Sequence, residues 1–356
     1  MKIAILTLPF HINYGGILQA WALNSILKNM GHQVFFIKNR HRSSFRTICR
    51  FILGRISKEE FLISINRHKY YNIYKMSFDK FTHNNLKFIR KSDINQMDVV
   101  IVGSDQIWRK YYYPLTDAFL AFAKKNKIIK RIAYAASFGV NEWEYTDKET
   151  SQIISLIALF GAISVREKDG VRMCKEKLLK TPEFVLDPTM LIDVSEYNIL
   201  SENIEKRNGK CLFSFVLDPT EDKINTLKKI NSELQATVIE LKMWDNDNIF
   251  EHQLITYGIE YWLSCFRDAD FVFTDSFHGC VFSILFNKPF IVYGNNSRGL
   301  SRFISLLETF DIRERYIAKS SELSSELLYR IINWDGINDR LRELKDYSIE
   351  FLKKNL

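Results

Sequence analysis

Residues 270–293, DFVFTDSFHGCVFSILFNKPFIVY, restrict the fold more tightly than any other part of the chain. An apolar strand at 271–274, a polar turn through Asp275, Ser276, Phe277, His278 and Gly279, a short apolar helix and a second strand follow one another within twenty-four residues. That succession is a βαβ unit, which sets two parallel strands side by side with a helix across them. In open parallel sheets the chemistry collects beyond the carboxyl ends of the strands, where a helix N-terminus presents free N–H groups and a partial positive charge. The turn falls at such an end and carries His278, one of seven histidines in the chain. From the turn alone, His278 is either a structural hydrogen-bonder or a proton donor.

The same rhythm recurs on both sides of a polar stretch at 193–209. On its N-terminal side, residues 2–8 read as a strand, and Asn13, Tyr14, Gly15 and Gly16 lie in the loop after it. Ile17, Leu18, Trp21, Ala22, Ile26 and Leu27 then recur at helical spacing up to Gly31. Further strands are expected at 34–37, 98–102, 132–136, 162–165 and 184–186. On the C-terminal side, strands at 211–217 and 237–241 alternate with helices at 220–234 and 258–266. Two successive α/β runs in 356 residues, too long for one ordinary core, imply two doubly wound lobes facing each other across a cleft. The expected units are 1–193, 194–335 and a C-terminal helix at 336–356, whose Leu341, Leu344, Phe351 and Leu352 form a stripe that packs back on a lobe.

The rhythm breaks at 38–91, where fourteen Lys and Arg face three acids. The chain's net charge of +8 therefore belongs to this one segment, and the remainder is net acidic. Arg42, Arg46, Arg50 and Arg55 alternate with Phe45, Ile48, Phe51, Ile52 and Ile56, so a helix there would have a basic face and an apolar one. The insertion is either a membrane-surface segment or a helical elaboration packed on its own lobe with solvated arginines. Its charge suits nucleic acid, an anionic membrane or a phosphorylated substrate. No nucleic-acid motif surrounds the arginines, which sets the first aside. Five cysteines without close pairs argue for a reducing cytoplasm. Neither a signal-peptide pattern nor a run of about 18 apolar residues is present.

Polar residues gather at the predicted strand ends: Asn13, Gly15 and Gly16, then Ser104 and Asp105, Ser137, Arg166, and His278 with Gly279. Such groups are costly to bury and should face a cleft. Cations are disfavoured at helix starts, so Arg166 either pairs with an acid or is held for an anionic ligand. The paired glycines either shape a turn or let backbone approach an anion or sugar. Metal-ligand spacing, a Gly-x-Ser-x-Gly elbow, a Walker loop and the dinucleotide fingerprint are all missing. A metal- and cofactor-independent transferase with a phosphorylated donor survives this elimination.

At this point the sequence resembles the polysaccharide pyruvyl transferase family, from the first strand to about Arg315. The likeness is carried in register by NYGGILQAWAL at 13–23, VGSDQIW at 102–108, AYAASFG at 133–139, SVREKDGV at 164–171, VLDPTML at 185–191, TDSFHGCVFSILFNKPF at 274–290 and SRF at 301–303. The resemblance implies two Rossmann-like lobes arranged as in GT-B glycosyltransferases, and a reaction in which phosphoenolpyruvate becomes a ketal across two sugar hydroxyls. By the same resemblance, Arg166 and the helix start from Ser276 to Gly279 would hold the donor anion and His278 would donate the proton. Asp105 would act as base or sugar ligand, Ser104 and Ser137 would line the cleft, and Asn13, Gly15, Gly16 and Gln19 would form the acceptor side.

The chain departs from the family at one place. Some members carry Arg-Leu-His where this chain has Ser276, Phe277 and His278, so a donor-binding arginine is missing there, and Arg298 and Arg302 are the candidates to replace its charge. A sugar acceptor built on a lipid diphosphate would give the basic insertion a task, bringing the enzyme to the inner membrane face. Two other readings remain: a GT-B-like glycosyltransferase using a nucleotide sugar, and a non-enzymatic sugar- or anion-binding module, which would leave Arg166 and His278 without a task.

Overall fold

The structure is a computed structural model that describes residues 1–38, 57–123, 129–241, 257–295 and 298–356, with backbone alone at 58–70. The first seven strands are β1 (Lys2–Leu6), β2 (Gln33–Ile37), β3 (Phe88–Ile89), β4 (Val99–Val102), β5 (Lys130–Ala136), β6 (Ala162–Val165) and β7 (Glu183–Phe184). They form one parallel sheet in the order β3-β2-β1-β4-β5-β6-β7. A second parallel sheet, β12-β11-β10-β8-β9, holds β8 (Cys211–Phe215), β9 (Thr237–Glu240), β10 (Phe271–Thr274), β11 (Phe290–Tyr293) and β12 (Tyr316–Ile317). The central strands β4, β8 and β10 are buried at every residue. Strands covered by helices on both faces need such unbroken apolar runs. The two Rossmann-like lobes expected from the sequence are therefore present.

Each sheet has one point where the strand order reverses, between β1 and β4 in the first and between β8 and β10 in the second. Crevices open at these switch points. At the first, α1 (Tyr14–Asn29) begins behind an Asn13 cap and stops before Gly31, whose φ of +84° few other residues would adopt. At the second, α8 (Phe277–Leu285) follows β10 through the turn singled out above. Between them run α2 (Lys58–Asn85), α3 (Asp147–Ile157), α4 (Lys168–Leu178), α5 (Val194–Leu200), α6 (Glu221–Leu234) and α7 (Ile259–Asp268), and α9 (Ser301–Thr309) and α10 (Trp334–Asn355) follow.

Helix α1 ties the lobes together. Tyr14, at its first turn, stacks on Trp262 of α7 at 5.3 Å and 9° between planes, and its hydroxyl donates to the Tyr257 carbonyl at 2.8 Å. One apolar core runs without a break from Leu18 and Leu23 of α1 to Trp262, Phe266 and Phe282 of the second lobe. Helix α10 returns to the first lobe, where Ser348 Oγ accepts from the Leu186 N–H at 3.0 Å.

Two local features add to the sequence reading. The polar stretch at 193–209 contains α5, because Asp193 caps it and Tyr197 anchors it by donating to the Thr189 carbonyl at 2.8 Å. Of the basic insertion, Arg42, Arg46, Arg50 and Arg55 lie outside the described residues. Its later part is α2, whose Phe78 packs on Tyr14 at 4.9 Å.

Candidate functional site

The lobes meet where the ends of β4 and β6 face the start of α8. Strand β4 delivers Ser104 and Asp105. Asp105 sits at φ +77°, an uncommon conformation for a non-glycine residue, held by Ser137 and Ile107 N–H groups donating to its carbonyl at 3.1 and 2.8 Å. That backbone turns the carboxylate toward Arg166, at the end of β6, and Oδ1 accepts from Arg166 Nη2 at 3.2 Å. Arg166 Nη1 also donates to Ser104 Oγ at 3.1 Å and, more closely, to Asp187 Oδ2. Of the two readings of Arg166, the pairing with acids is the one observed, and it takes two of them.

Asp187 follows β7 and is fully enclosed. Its Oδ1 accepts from the Thr189 N–H at 3.0 Å and hydroxyl at 2.7 Å, and its Oδ2 from Ser104 Oγ at 3.0 Å in addition to Arg166. Burial alone would raise this carboxyl's pKa. Arg166 and His278, with the Thr189 N–H, outweigh that and hold it well below the usual carboxylate range.

His278 reaches the cluster from the opposite lobe. It is 7% exposed, its Nε2 stands 3.7 Å from Asp187 Oδ2, and that nitrogen has no hydrogen-bond partner among the described residues. The approach depends on Gly15, where a Cβ would sit 2.0 Å from His278 Nδ1 and 2.6 Å from its Cβ. Only glycine lets the start of α1 close against this ring.

Beside His278 the Phe277 ring contacts two guanidiniums, Arg166 at 4.7 Å and Arg302 of α9 at 5.0 Å. Arg302 is 5% exposed. Its Nη2 donates to the Arg298 carbonyl at 2.8 Å, its Nε has no partner, and no carboxylate lies within ion-pair distance among the described residues. Burial, and then repulsion from Arg166, push its pKa down to about 10. Glu167, next to Arg166, accepts the Phe138 and Gly139 N–H groups at 2.7 and 3.3 Å through Oε1, while Oε2 has no partner. Burial pushes this carboxyl up further than Arg166, Arg302 and the two N–H donors pull it down.

The remaining predicted residues fall around this centre. Ser276 is the N-cap of α8, accepting the Gly279 N–H at 3.3 Å, and Gly279 fits against Thr274, whose Oγ1 would be 2.2 Å from a Cβ there. Asn13 Oδ1 accepts the Gly16 N–H at 3.0 Å, which makes Asn13 and Gly16 the cap of α1. Gln19 is buried beneath the loop after β1, donating to Thr7 Oγ1 and the Gly16 carbonyl at 3.0 and 2.8 Å. Ser137 is buried with its hydroxyl unpartnered. Arg298 lies at the surface, clamped to Asp218 by two hydrogen bonds of 2.7 and 2.8 Å. Its charge is spent on Asp218, which separates it from Arg302.

Asp187 and Glu167 were not among the residues singled out from sequence, although each lay in a family motif, and Phe277 was named only as part of its turn. Asp187 closes a strand with a carboxylate, the same signal that marked Asp105. Asp275, in the opening stretch, is structural: it accepts from the Leu217 and Asp218 N–H groups, Lys223 Nζ and Asn295 Nδ2, joining the ends of β8 and β10.

The polysaccharide pyruvyl transferase family model matches residues 13–297, spanning every element of this centre except α9 with Arg302. The chain belongs to the polysaccharide pyruvyl transferase family. Comparison with curated proteins gave no match. Among solved structures, this pyruvyl transferase family member is similar to a UDP-GlcNAc 2-epimerase from Neisseria meningitidis bound to UDP-GlcNAc, with a TM-score of 0.53, 9% identity and 100% of both chains covered. It is also similar to a UDP-N-acetylglucosamine 2-epimerase from Rickettsia bellii, with a TM-score of 0.52 and 9% identity over 99% of this chain and 96% of the other. At such identity the likeness shows the GT-B-like fold alone. No helix among the described residues is long and apolar enough to cross a membrane.

Proposed function

We propose that this chain moves the enolpyruvyl group of phosphoenolpyruvate onto two hydroxyls of a sugar in a cell-surface polysaccharide precursor, closing a pyruvate ketal and releasing phosphate. The observation that carries the reading is Arg302, a guanidinium 5% exposed with no carboxylate in direct ion-pair contact among the described residues. Leaving a buried charge unpaired costs several kcal/mol, and an anionic ligand removes that cost. Arg302 would supply the charge missing at Ser276. Arg166, already committed to Asp105 and Asp187, lies against the same Phe277 ring and adds field.

Phosphoenolpyruvate brings a carboxylate and a phosphate, and its methylene carbon must gain a proton as the first hydroxyl attacks the adjacent carbon. His278 donates that proton, since its Nε2 lies at the meeting of the lobes, 3.7 Å from Asp187 Oδ2, with no hydrogen-bond partner among the described residues. Asp105 accepts a proton from the attacking hydroxyl. Phosphate then leaves and the second hydroxyl closes the ketal. Of the two protons lost by the acceptor, one ends on the new methyl group and the other departs with phosphate.

The test is calorimetry with phosphoenolpyruvate, followed by assay of phosphate release and pyruvyl mass gain on galactosides, glucosides and N-acetylmannosaminides. Binding of phosphoenolpyruvate with phosphate release on one sugar class, galactosides first, is expected. Binding of UDP-GlcNAc without any binding of phosphoenolpyruvate would replace this reading with that of a nucleotide-sugar enzyme. The acceptor proposed is lipid-diphosphate-linked, on the strength of the basic insertion at 38–91. Changing Arg42, Arg46 and Arg50 to Glu should then abolish binding to anionic liposomes.

A further inference from the structure

A loop beside Arg302 has no task in the chemistry above. After Asp105 the chain buries Trp108, whose indole donates to the Ala118 carbonyl at 3.3 Å and stacks on Phe119 at 5.2 Å, and then emerges as Arg109, Lys110, Tyr111 and Tyr112. Tyr111 is 88% exposed and Tyr112 45%. Single exposed aromatics are ordinary. These two are held in place, and three observations set them apart.

First, Tyr112 is preorganised. Arg109 Nη1 donates to its hydroxyl at 3.0 Å and to Gln106 Oε1 at 3.1 Å, with the guanidinium over the ring at 4.8 Å. Second, the support crosses to the other lobe. Gln106 packs into the space left by Gly139, where a Cβ would lie 2.0 Å from its Oε1, and the Gly139 carbonyl in turn meets Gly299, just before α9. Through Gln106 and Gly139 the loop is thus braced against the segment that carries Arg302. Third, Tyr111 sits at φ +70°, an uncommon conformation for an aromatic residue, with no burial to offset the strain.

We propose that residues 109–112 form the acceptor subsite, with the Tyr112 ring as a platform for one pyranose and the Arg109 guanidinium and Tyr112 hydroxyl as partners for its hydroxyls. One face of a pyranose carries several C–H groups and packs on an aromatic face, while its rim of hydroxyls needs polar partners, and a tyrosine paired with an arginine offers both. The loop's support reaches Gly299, three residues before Arg302, so a sugar stacked there lies on the donor side of the cleft. The proposal rests on the pyruvyl-transfer reading.

The test separates the two readings. Saccharide binding to wild type and Tyr112→Ala is measured by saturation-transfer NMR with methyl galactoside, methyl glucoside and methyl N-acetylmannosaminide, and phosphoenolpyruvate binding by calorimetry on the same proteins. The expected result is a saccharide signal in wild type, binding at least tenfold weaker in Tyr112→Ala and largely retained in Tyr112→Phe. Phosphoenolpyruvate affinity and melting temperature should stay unchanged. Equal saccharide binding in wild type and Tyr112→Ala, or none in wild type, would overturn the acceptor subsite. Failure of phosphoenolpyruvate alone to bind would instead overturn the donor reading.

Discussion

Replacing Arg302 by Met tests the donor site most directly, because the structure predicts opposite effects on stability and on binding. Met fills a similar volume without the charge. In the free protein the guanidinium's pKa is pushed down to about 10, so holding it charged costs on the order of 3 kcal/mol at every pH below that value. Against this, the variant loses a hydrogen bond to the Arg298 carbonyl and the stacking on Phe277, together worth roughly 2–3 kcal/mol. The two nearly cancel, and the unliganded variant should unfold within about 1 kcal/mol of wild type in urea. Phosphoenolpyruvate, by contrast, loses a charge-assisted contact in a buried site, worth about 3 kcal/mol or roughly 150-fold in Kd. Denaturation and calorimetry on the same preparation give both numbers. A variant that binds phosphoenolpyruvate within threefold of wild type refutes the assignment. A variant destabilised by 3 kcal/mol or more would show that Arg302 is a structural keystone.

The other predictions concern the cluster facing it. His278→Asn should keep the fold and phosphoenolpyruvate binding but lose phosphate release by a factor of about 100 or more, as measured by a coupled phosphate assay. Gly15→Ala places a Cβ 2.0 Å from His278 Nδ1, so it should lower the melting temperature in wild type and much less in a His278→Gly background; equal shifts in both would mean that the ring is not the obstacle. Asp187→Asn breaks a buried pair with Arg166 and should cost roughly 3–5 kcal/mol in urea denaturation. Because the Asp187 pKa is depressed in the folded state, its contribution is complete above the unfolded value of about 4 and is lost as pH falls below it. Wild type should therefore lose stability steeply below pH 4, and Asp187→Asn should show a shallower acid slope.

Much of this architecture can be read along the chain. The apolar runs at β4, β8 and β10, the capping residues Asn13 and Ser276, and the break after α1 at Gly31 are local signals, because strand and helix periodicity and helix capping act within a few residues. Strand ends followed from the same periodicity, and with them the polar groups gathered at the cleft: Ser104, Asp105, Ser137, Arg166 and His278. The stretch at 193–209 shows in sequence only as a polar break between the two α/β runs, while Asp193 and Tyr197 are enough to build α5 there.

The partners of these groups are another matter. Arg166 stood at a helix start with two open readings, and nothing within a few residues chooses between them; its acids, Asp105 and Asp187, lie 61 and 21 residues away and are brought to it by the order of β4, β6 and β7 in the sheet. The turn at 275–279 carried its histidine in plain view. That Gly15 exists to admit that ring was decided only when α1 was wedged between the lobes. Arg298 and Arg302 were equivalent candidates in sequence, four residues apart. Folding paired one directly with Asp218 and buried the other with no direct ion pair among the described residues. Sequence determined which residue types stand at the strand ends, because that is set by local patterning; which charges are satisfied and which are left for a ligand depends on distances across the fold, and only the packing of the two lobes sets those.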